Sequence, residues 1–121
     1  MGLKFKVWDG ENIISINEAL RNELVGFQTY GEDGCLDEFF AGVEILQYTG
    51  SVDKNEKEIY RGYILKAYKH NEEEFVNQVI FRKGCFWFGN WNWIEFICKF
   101  RRIEVIGNIY ENKEMMEGFR L

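Results

Sequence analysis

The sequence predicts an α+β, β-rich fold: a bent antiparallel sheet or small barrel with one or two short helices. Three observations carry this expectation. Apolar and polar residues alternate with period two in several runs, the pattern of a half-buried strand. From Val43 onward five or more short strand-like runs follow one another at turn spacings of about ten residues. Eleven Phe, six Tyr and four Trp supply large areas for burial, and with no proline at all the turns fall to Gly, Asn and Asp.

The elements follow in order. Leu3-Lys4-Phe5-Lys6-Val7-Trp8 alternates apolar with basic residues and reads as a strand, ended by an Asp9-Gly10 turn. Ile13-Ile14 continues the ribbon. Ser15-Ile16-Asn17-Glu18 has the spacing of a capping box. Ile16, Leu20, Leu24 and Phe27 then recur at helical spacing, predicting a helix over 16–25 stopped by Gly26. A strand from Val25 to Tyr30 is the rival reading. Gly31 to Gly34 reads as a loop and Asp37 to Phe40 as one helical turn. Val43–Tyr48 is a strand, 50–57 a polar turn region, and Ile59–Lys69 a strand with Gly62 as a bend or bulge. Phe75–Arg82, Gly84–Phe88, Trp91–Phe100 and Ile103–Ile106 read as further strands. Residues 111–117 read as a terminal helix, with Asn112 at its N-cap and Gly118 as its stop.

At 121 residues, 46% of them hydrophobic, the chain reads as a single domain able to build a core without staples. No run is apolar enough for a membrane span, and the first residues lack the apolar stretch of a secretory signal. Gly2 lacks the Ser or Thr at position 6 that myristoylation wants, since Lys6 stands there. The expectation is a cytoplasmic protein with no membrane partner. Cys35, Cys85 and Cys98 form neither a CxxC pair nor an even framework and read as small buried thiols. The sharper alternative, a zinc site with His70, lacks closely spaced ligand pairs.

Catalytic chemistry has little to stand on. Asp33, Asp37 and Glu38, and Glu72-Glu73-Glu74, are acidic groups that in pairs hold Mg²⁺ or move protons, yet such runs between strands are ordinarily solvated turns. His70, the one histidine, has no nucleophile elbow and reads as a surface turn residue. No phosphate-loop motif occurs. The expectation is no enzyme, no cofactor and no metal.

The unusual stretch lies between Arg82 and Arg102. Five cationic residues (Arg82, Lys83, Lys99, Arg101, Arg102) stand there against Glu95, a local +4 that leaves −9 elsewhere under a total of −5. They flank the run Phe86 to Trp93. On a strand, Phe86 and Phe88 take one face and Trp87 the other, with Trp91 and Trp93 sharing a side after a Gly89-Asn90 turn. Three fates are open to these rings. They fill the core, or they also anchor a protein partner or a second copy of the chain, or they stack nucleobases while the cations hold phosphates. The acidic overall balance weighs against general nucleic-acid binding. Trp87, Trp91, Trp93 and the five cations are the candidate interface.

Three motifs resemble the YopX family of phage- and prophage-encoded proteins. Lys4-Phe5-Lys6-Val7-Trp8-Asp9 is similar to its opening strand. Leu46-Gln47-Tyr48-Thr49-Gly50, then Asp53-Lys54-Asn55 and Lys57-Glu58-Ile59-Tyr60, resemble its central signature. Val105-Ile106-Gly107-Asn108-Ile109-Tyr110-Glu111-Asn112 resembles its closing motif. Order and separation agree, with only loose similarity over 11–42 and 70–101. The resemblance implies a β-rich fold, a phage or prophage origin and expression in a bacterial cytoplasm. It implies structural roles for Tyr48, Gly50, Ile59, Tyr60, Gly62, Gly107, Asn108, Tyr110 and Asn112, and no catalytic residues. The chain departs from the pattern where Asn55 precedes Glu56 rather than Gly; since Asn tolerates positive φ, the turn is expected to survive in another type. Arg61-Gly62-Tyr63 replaces a Glu-Gly-Asp, which removes any carboxylate role there. Lys113 stands where the family often has Pro, so the cap is kept and the fixed φ is lost.

Overall fold

The computed structural model describes residues 4–30, 33–38 and 42–114. The chain falls into two compact units, residues 1–47 and 48–121.

In the first unit, β1 (Phe5–Trp8) ends at Asp9, whose carboxylate accepts from the N–H groups of Glu11 and Asn12 at 2.7 Å each. The turn returns the chain as β2 (Ile13–Ser15), antiparallel to β1 with Lys6 opposite Ser15. Ser15 then caps α1 (Ile16–Arg21), its hydroxyl accepting from Glu18 N–H as the capping box predicts. The helix is shorter than the predicted 16–25, and Gly26 does not stop it. Glu23 adopts positive φ just past the C-cap Asn22, Glu23 N–H donates to Leu20 C=O, and Leu24 N–H donates to Ala19 C=O. These are the two bonds of a Schellman motif. The chain is thereby released early, and β3 (Val25–Tyr30) pairs with β4 (Asp33–Glu38).

The rival strand reading therefore holds for 25–30. Asp33 and Gly34 open a strand rather than a loop, and Asp37 and Glu38 close it rather than starting a helical turn, because their backbone groups pair with Gly26 and Val25. Phe39 and Phe40 lie outside the described residues. The start of β5 (Glu44–Val52) pairs with β1, Trp8 opposite Glu44. Val7, Ala19, Val25 and Val43 form this unit's core, with Ile14, Ile16, Leu20, Leu24 and Ile45 packed around them.

In the second unit the rest of β5 pairs with β6 (Glu58–Tyr60) across a register shift. Then follow β7 (Tyr63–Lys69), β8 (Glu74–Arg82), β9 (Cys85–Phe88), β10 (Trp91–Asn92), α2 (Trp93–Lys99) and β11 (Phe100–Asn108). They build a five-stranded antiparallel sheet in the order β10-β9-β8-β7-β11. Two register shifts bend β11, with Arg102 at positive φ inside the first.

The strand predicted over 59–69 breaks at Gly62. This residue takes φ 89°, donates to Val79 C=O and accepts from Ile109 N–H, and a Cβ there would lie 2.7 Å from the Tyr110 ring. The strand predicted over 91–100 is mostly helix. The Asn92 carboxamide accepts from Glu95 N–H and donates to the Glu95 carboxylate, so the backbone is capped into α2. The strand predicted over 103–106 extends over Phe100–Asn108. Of the helix predicted over 111–117, residues 111–114 are described and 113–114 of these are helical, and Gly118 lies outside the described residues. The Asn112 carboxamide oxygen faces backward, accepting from Asn108 N–H at 3.2 Å.

Ile59, Ile64, Leu65, Ala67, Val79, Phe88 and Phe96 form the buried centre of this unit. The β-rich, bent antiparallel architecture with two short helices is the one the sequence predicts. No helix among the described residues is long and apolar enough to cross a membrane.

Candidate functional site: an apolar helix face and a basic–aromatic groove

Period two holds through β9. Phe88 points inward and stacks on Phe96, centroids 4.3 Å apart, with Phe100 at 5.6 Å. Phe86, on the same face, meets Phe81 at 4.9 Å and Trp93 at 6.3 Å. Trp87 takes the opposite face, where its indole N–H donates to Arg82 C=O and the Arg82 guanidinium lies 4.4 Å over its ring. Gly89 makes the following turn against Asn77; a Cβ there would fall 2.2 Å from the Asn77 amide nitrogen. Trp91 then packs edge-on to Phe100 at 5.4 Å. Trp93 opens α2, lies 5.0 Å from Phe96 and donates its indole N–H to Ser51. Of the run only Phe88 is fully buried, while Phe86, Trp87, Trp91 and Trp93 are half-buried, and both Trp91 and Trp93 join the Phe96–Phe100 cluster.

The helix that follows has two unlike faces. Phe96 is fully buried, whereas Ile94 is 78% and Ile97 42% exposed. At about 100° per residue, Ile94, Ile97 and Cys98 share one stripe turned away from Phe96. Cys98 is an exposed free thiol and not the small buried one expected; Cys85 is half-buried. Neither isoleucine was singled out in the sequence, because a strand reading of 91–100 distributes them over both faces. The Asn92-x-x-Glu95 spacing was the signal for a helix start.

The basic residues do not form one surface. Arg82 sits at the end of β8, and Lys83 occupies an exposed two-residue turn into β9. Arg101 and Arg102 both bind the Glu72 carboxylate, Arg101 also donates to His70 C=O, and the Arg102 guanidinium lies 4.2 Å over Tyr68. The Arg102 hydrogen bond, opposed by slight desolvation and aided by both guanidinium charges, holds Glu72 below its ordinary carboxylate value. Lys99 pairs with Glu95 at 3.8 Å and with Trp91, and Lys69, from β7, reaches the same ring at 4.5 Å. Lys69, His70, Asn71, Trp91 and Lys99 line an open groove of about 320 Å³. Lys69 lies outside the stretch the sequence singled out; only the β7–β11 register, Lys69 opposite Phe100, brings it there.

The motif residues hold the unit together. Asp53 is buried. Its Oδ1 accepts from Asn55 and Lys57 N–H, and its Oδ2 from Val105 N–H at 2.9 Å, tying the β5–β6 turn to β11. Burial pushes this carboxyl up, but the Val105, Lys57 and Asn55 N–H donors and the Lys57 charge outweigh it and hold it below its usual range. Glu56, not Asn55, takes positive φ in that turn. Glu56 N–H donates to Asp53 C=O, closing a turn over 53–56 whose last residue is the left-handed one. Gly50, within β5, has φ 89°. Tyr48, Tyr60 and Tyr63 form a ring row at 5.4 and 5.6 Å beside the buried Ile59, and burial pushes the Tyr60 and Tyr63 phenols up. Asn108 Oδ1 accepts from Tyr110 and Glu111 N–H, while Gly107 admits Asn112 so closely that a Cβ would lie 2.7 Å from its oxygen. His70 is exposed in the β7–β8 turn, and among the described residues no group of three His, Cys, Asp or Glu side chains is placed to hold a metal ion.

Compared with known proteins, residues 4–117 match the family model described as YopX protein. Protein EF1440 from Enterococcus faecalis is similar in structure, with a TM-score of 0.61 at 21% identity over 96% of this chain and 99% of that one. Protein yopX from Bacillus subtilis is similar with a TM-score of 0.56 at 19% identity, over 91% of this chain and 94% of that one. At these identities the likeness speaks for the fold alone. No curated protein matches the sequence.

Proposed function

The chain belongs to the YopX family, and from that premise we propose that it is a non-enzymatic accessory protein of a phage or prophage, acting by protein–protein contact in the bacterial cytoplasm. The observation that carries this reading is the outward stripe of α2. Two isoleucines on a helix whose opposite face is already filled by Phe96 have no use within the unit. An apolar stripe on an exposed helix is a face that a complementary apolar surface can cover. Phe81, 45% exposed, adds to the apolar surface of the same unit. Self-association is the occupant proposed, since it needs no second species. Light scattering after size exclusion is expected to give a dimer or larger, and Ile94→Lys to give a folded monomer whose melting temperature, unlike that of the wild type, does not rise with protein concentration. A strict monomer at about 100 μM would overturn self-association at this affinity scale.

A second reading is a nucleic-acid binder using the basic–aromatic stretch 82–102. Trp91 between two ammonium groups supports it. The ion pairs on Arg101, Arg102 and Lys99 and the net charge of −5 weigh against it. It is tested by salt-dependent binding of a single-stranded oligonucleotide that falls on Trp87→Ala and Arg82→Ala as well as Trp91→Ala.

A further inference from the structure

We propose that the groove between Lys69 and Lys99 is a binding site for a nucleobase joined to a phosphate. The inference deepens the second reading above in its chemistry, and is independent of the α2 docking face.

The groove has the parts such a ligand needs. Its wall is an indole, Trp91, braced from within by the edge-on Phe100 ring at 5.4 Å. A braced, half-exposed indole is a stacking platform, and every nucleobase presents a π-face to it. Two ammonium groups lie over this ring, so a base stacks there as one of them swings aside to meet its phosphate. Lys69 Nζ lies 4.5 Å from the Trp91 centroid, 5.0 Å from Phe75 and 6.0 Å from Phe100, and among the described residues no carboxylate pairs with it. An ammonium held over rings keeps its charge for an incoming anion while its stem is already placed. Lys99 Nζ lies 5.5 Å from the same indole and shares only a long, exposed pair with Glu95. A surface pair of that kind contributes little and exchanges readily for a doubly charged phosphate.

The rest of the lining fits. His70 and Asn71 complete it, and Asn71 turns its carboxamide oxygen to Glu73 N–H, which leaves its NH₂ as the donor end. Of the acidic residues in this turn, Glu72 is already held by Arg101 and Arg102, which offsets its charge locally. The open groove of about 320 Å³ lies at the small end of the range for ligand clefts, about 300–1,000 Å³.

The test is a titration of the ¹⁵N-labelled chain with AMP, adenosine, inorganic phosphate and an eight-residue single-stranded oligothymidylate at 50 mM salt, read at the Trp91 indole N–H. AMP is expected to move that signal, and adenosine and phosphate alone to bind at least tenfold more weakly. Lys69→Gln, which leaves the indole platform intact, is expected to weaken AMP about tenfold, and Trp91→Phe to retain more affinity than Trp91→Ala. Equal binding of AMP and oligomer per nucleotide points to free nucleotides as the source; oligomer binding far tighter than AMP points to a single strand. Either supports the groove. No movement of the Trp91 signal by AMP or oligomer overturns it. Oligomer binding that survives Lys69→Gln and falls on Trp87→Ala overturns the groove too, while keeping the broader basic–aromatic reading.

Discussion

Asp53 shows how one side chain fixes a fold. Three backbone N–H groups from two separate segments converge on its buried carboxylate, and removing it orphans them. Asp53→Ala is expected to cost about 3 kcal/mol in urea unfolding at pH 7. The folded carboxyl is depressed, so its contribution is fully present above the unfolded value of about 3.9 and fades as pH falls through the lower folded value. The gap between wild type and Asp53→Ala is therefore expected to hold at neutral pH and to close in acid; a gap that widens in acid would contradict this assignment. Two further residues sit where side chains are costly. Glu56 takes φ 64° in the β5–β6 turn, and Lys83 takes φ 51° in the two-residue β8–β9 turn, whose next residue Gly84 is also at positive φ. That pair of angles is a type I′ turn, which prefers Asn-Gly. Glu56→Gly and Lys83→Asn are each expected to stabilise by about 0.5–1 kcal/mol, read as a rise in the denaturation midpoint at unchanged slope.

At the scale of the element, α2 carries the argument. Its start depends on Asn92, so Asn92→Ala is expected to cost about 1 kcal/mol. Its inner face depends on Phe96, stacked on Phe88 and close to Phe100. Phe96→Ala is expected to cost about 3–5 kcal/mol, measured by chemical denaturation. Ile94→Lys on the outer face is expected to leave stability within about 0.5 kcal/mol when both chains are compared at concentrations where they are monomeric. A large loss on Ile94→Lys in a monomer would show that the stripe packs within the chain, and the docking reading would fail. The element also explains a misreading of the sequence. Trp91 to Phe100 is aromatic and weakly alternating, which favours a strand by propensity, but a cap that satisfies the first helical N–H groups outweighs that preference. The converse happened at 22–25, where helical spacing continued past Arg21 but a Schellman turn at Glu23 ended the helix.

Over the whole molecule, β5 is the shared piece. Its first residues, Glu44 to Gln47, pair with β1 and its last, Tyr48 to Val52, with β6. A single unfolding transition is expected, coincident by far-ultraviolet circular dichroism and by tryptophan fluorescence. Separate midpoints would assign the two units independent stabilities. The sequence by itself determined the β-rich class, the Ser15 cap, the face alternation of Phe86, Trp87 and Phe88, and family membership, because these rest on local periodicity, local hydrogen bonding and long contiguous motifs. Tertiary structure alone decided that the five cations of 82–102 disperse, that Arg101 and Arg102 close on Glu72, and that Lys69 joins Lys99 at Trp91. Those outcomes depend on strand register and on bulges, which set which distant residues become neighbours. A shift of one residue in β7 against β11 would turn Lys69 to the other face of the sheet, and no local pattern in the chain encodes that choice.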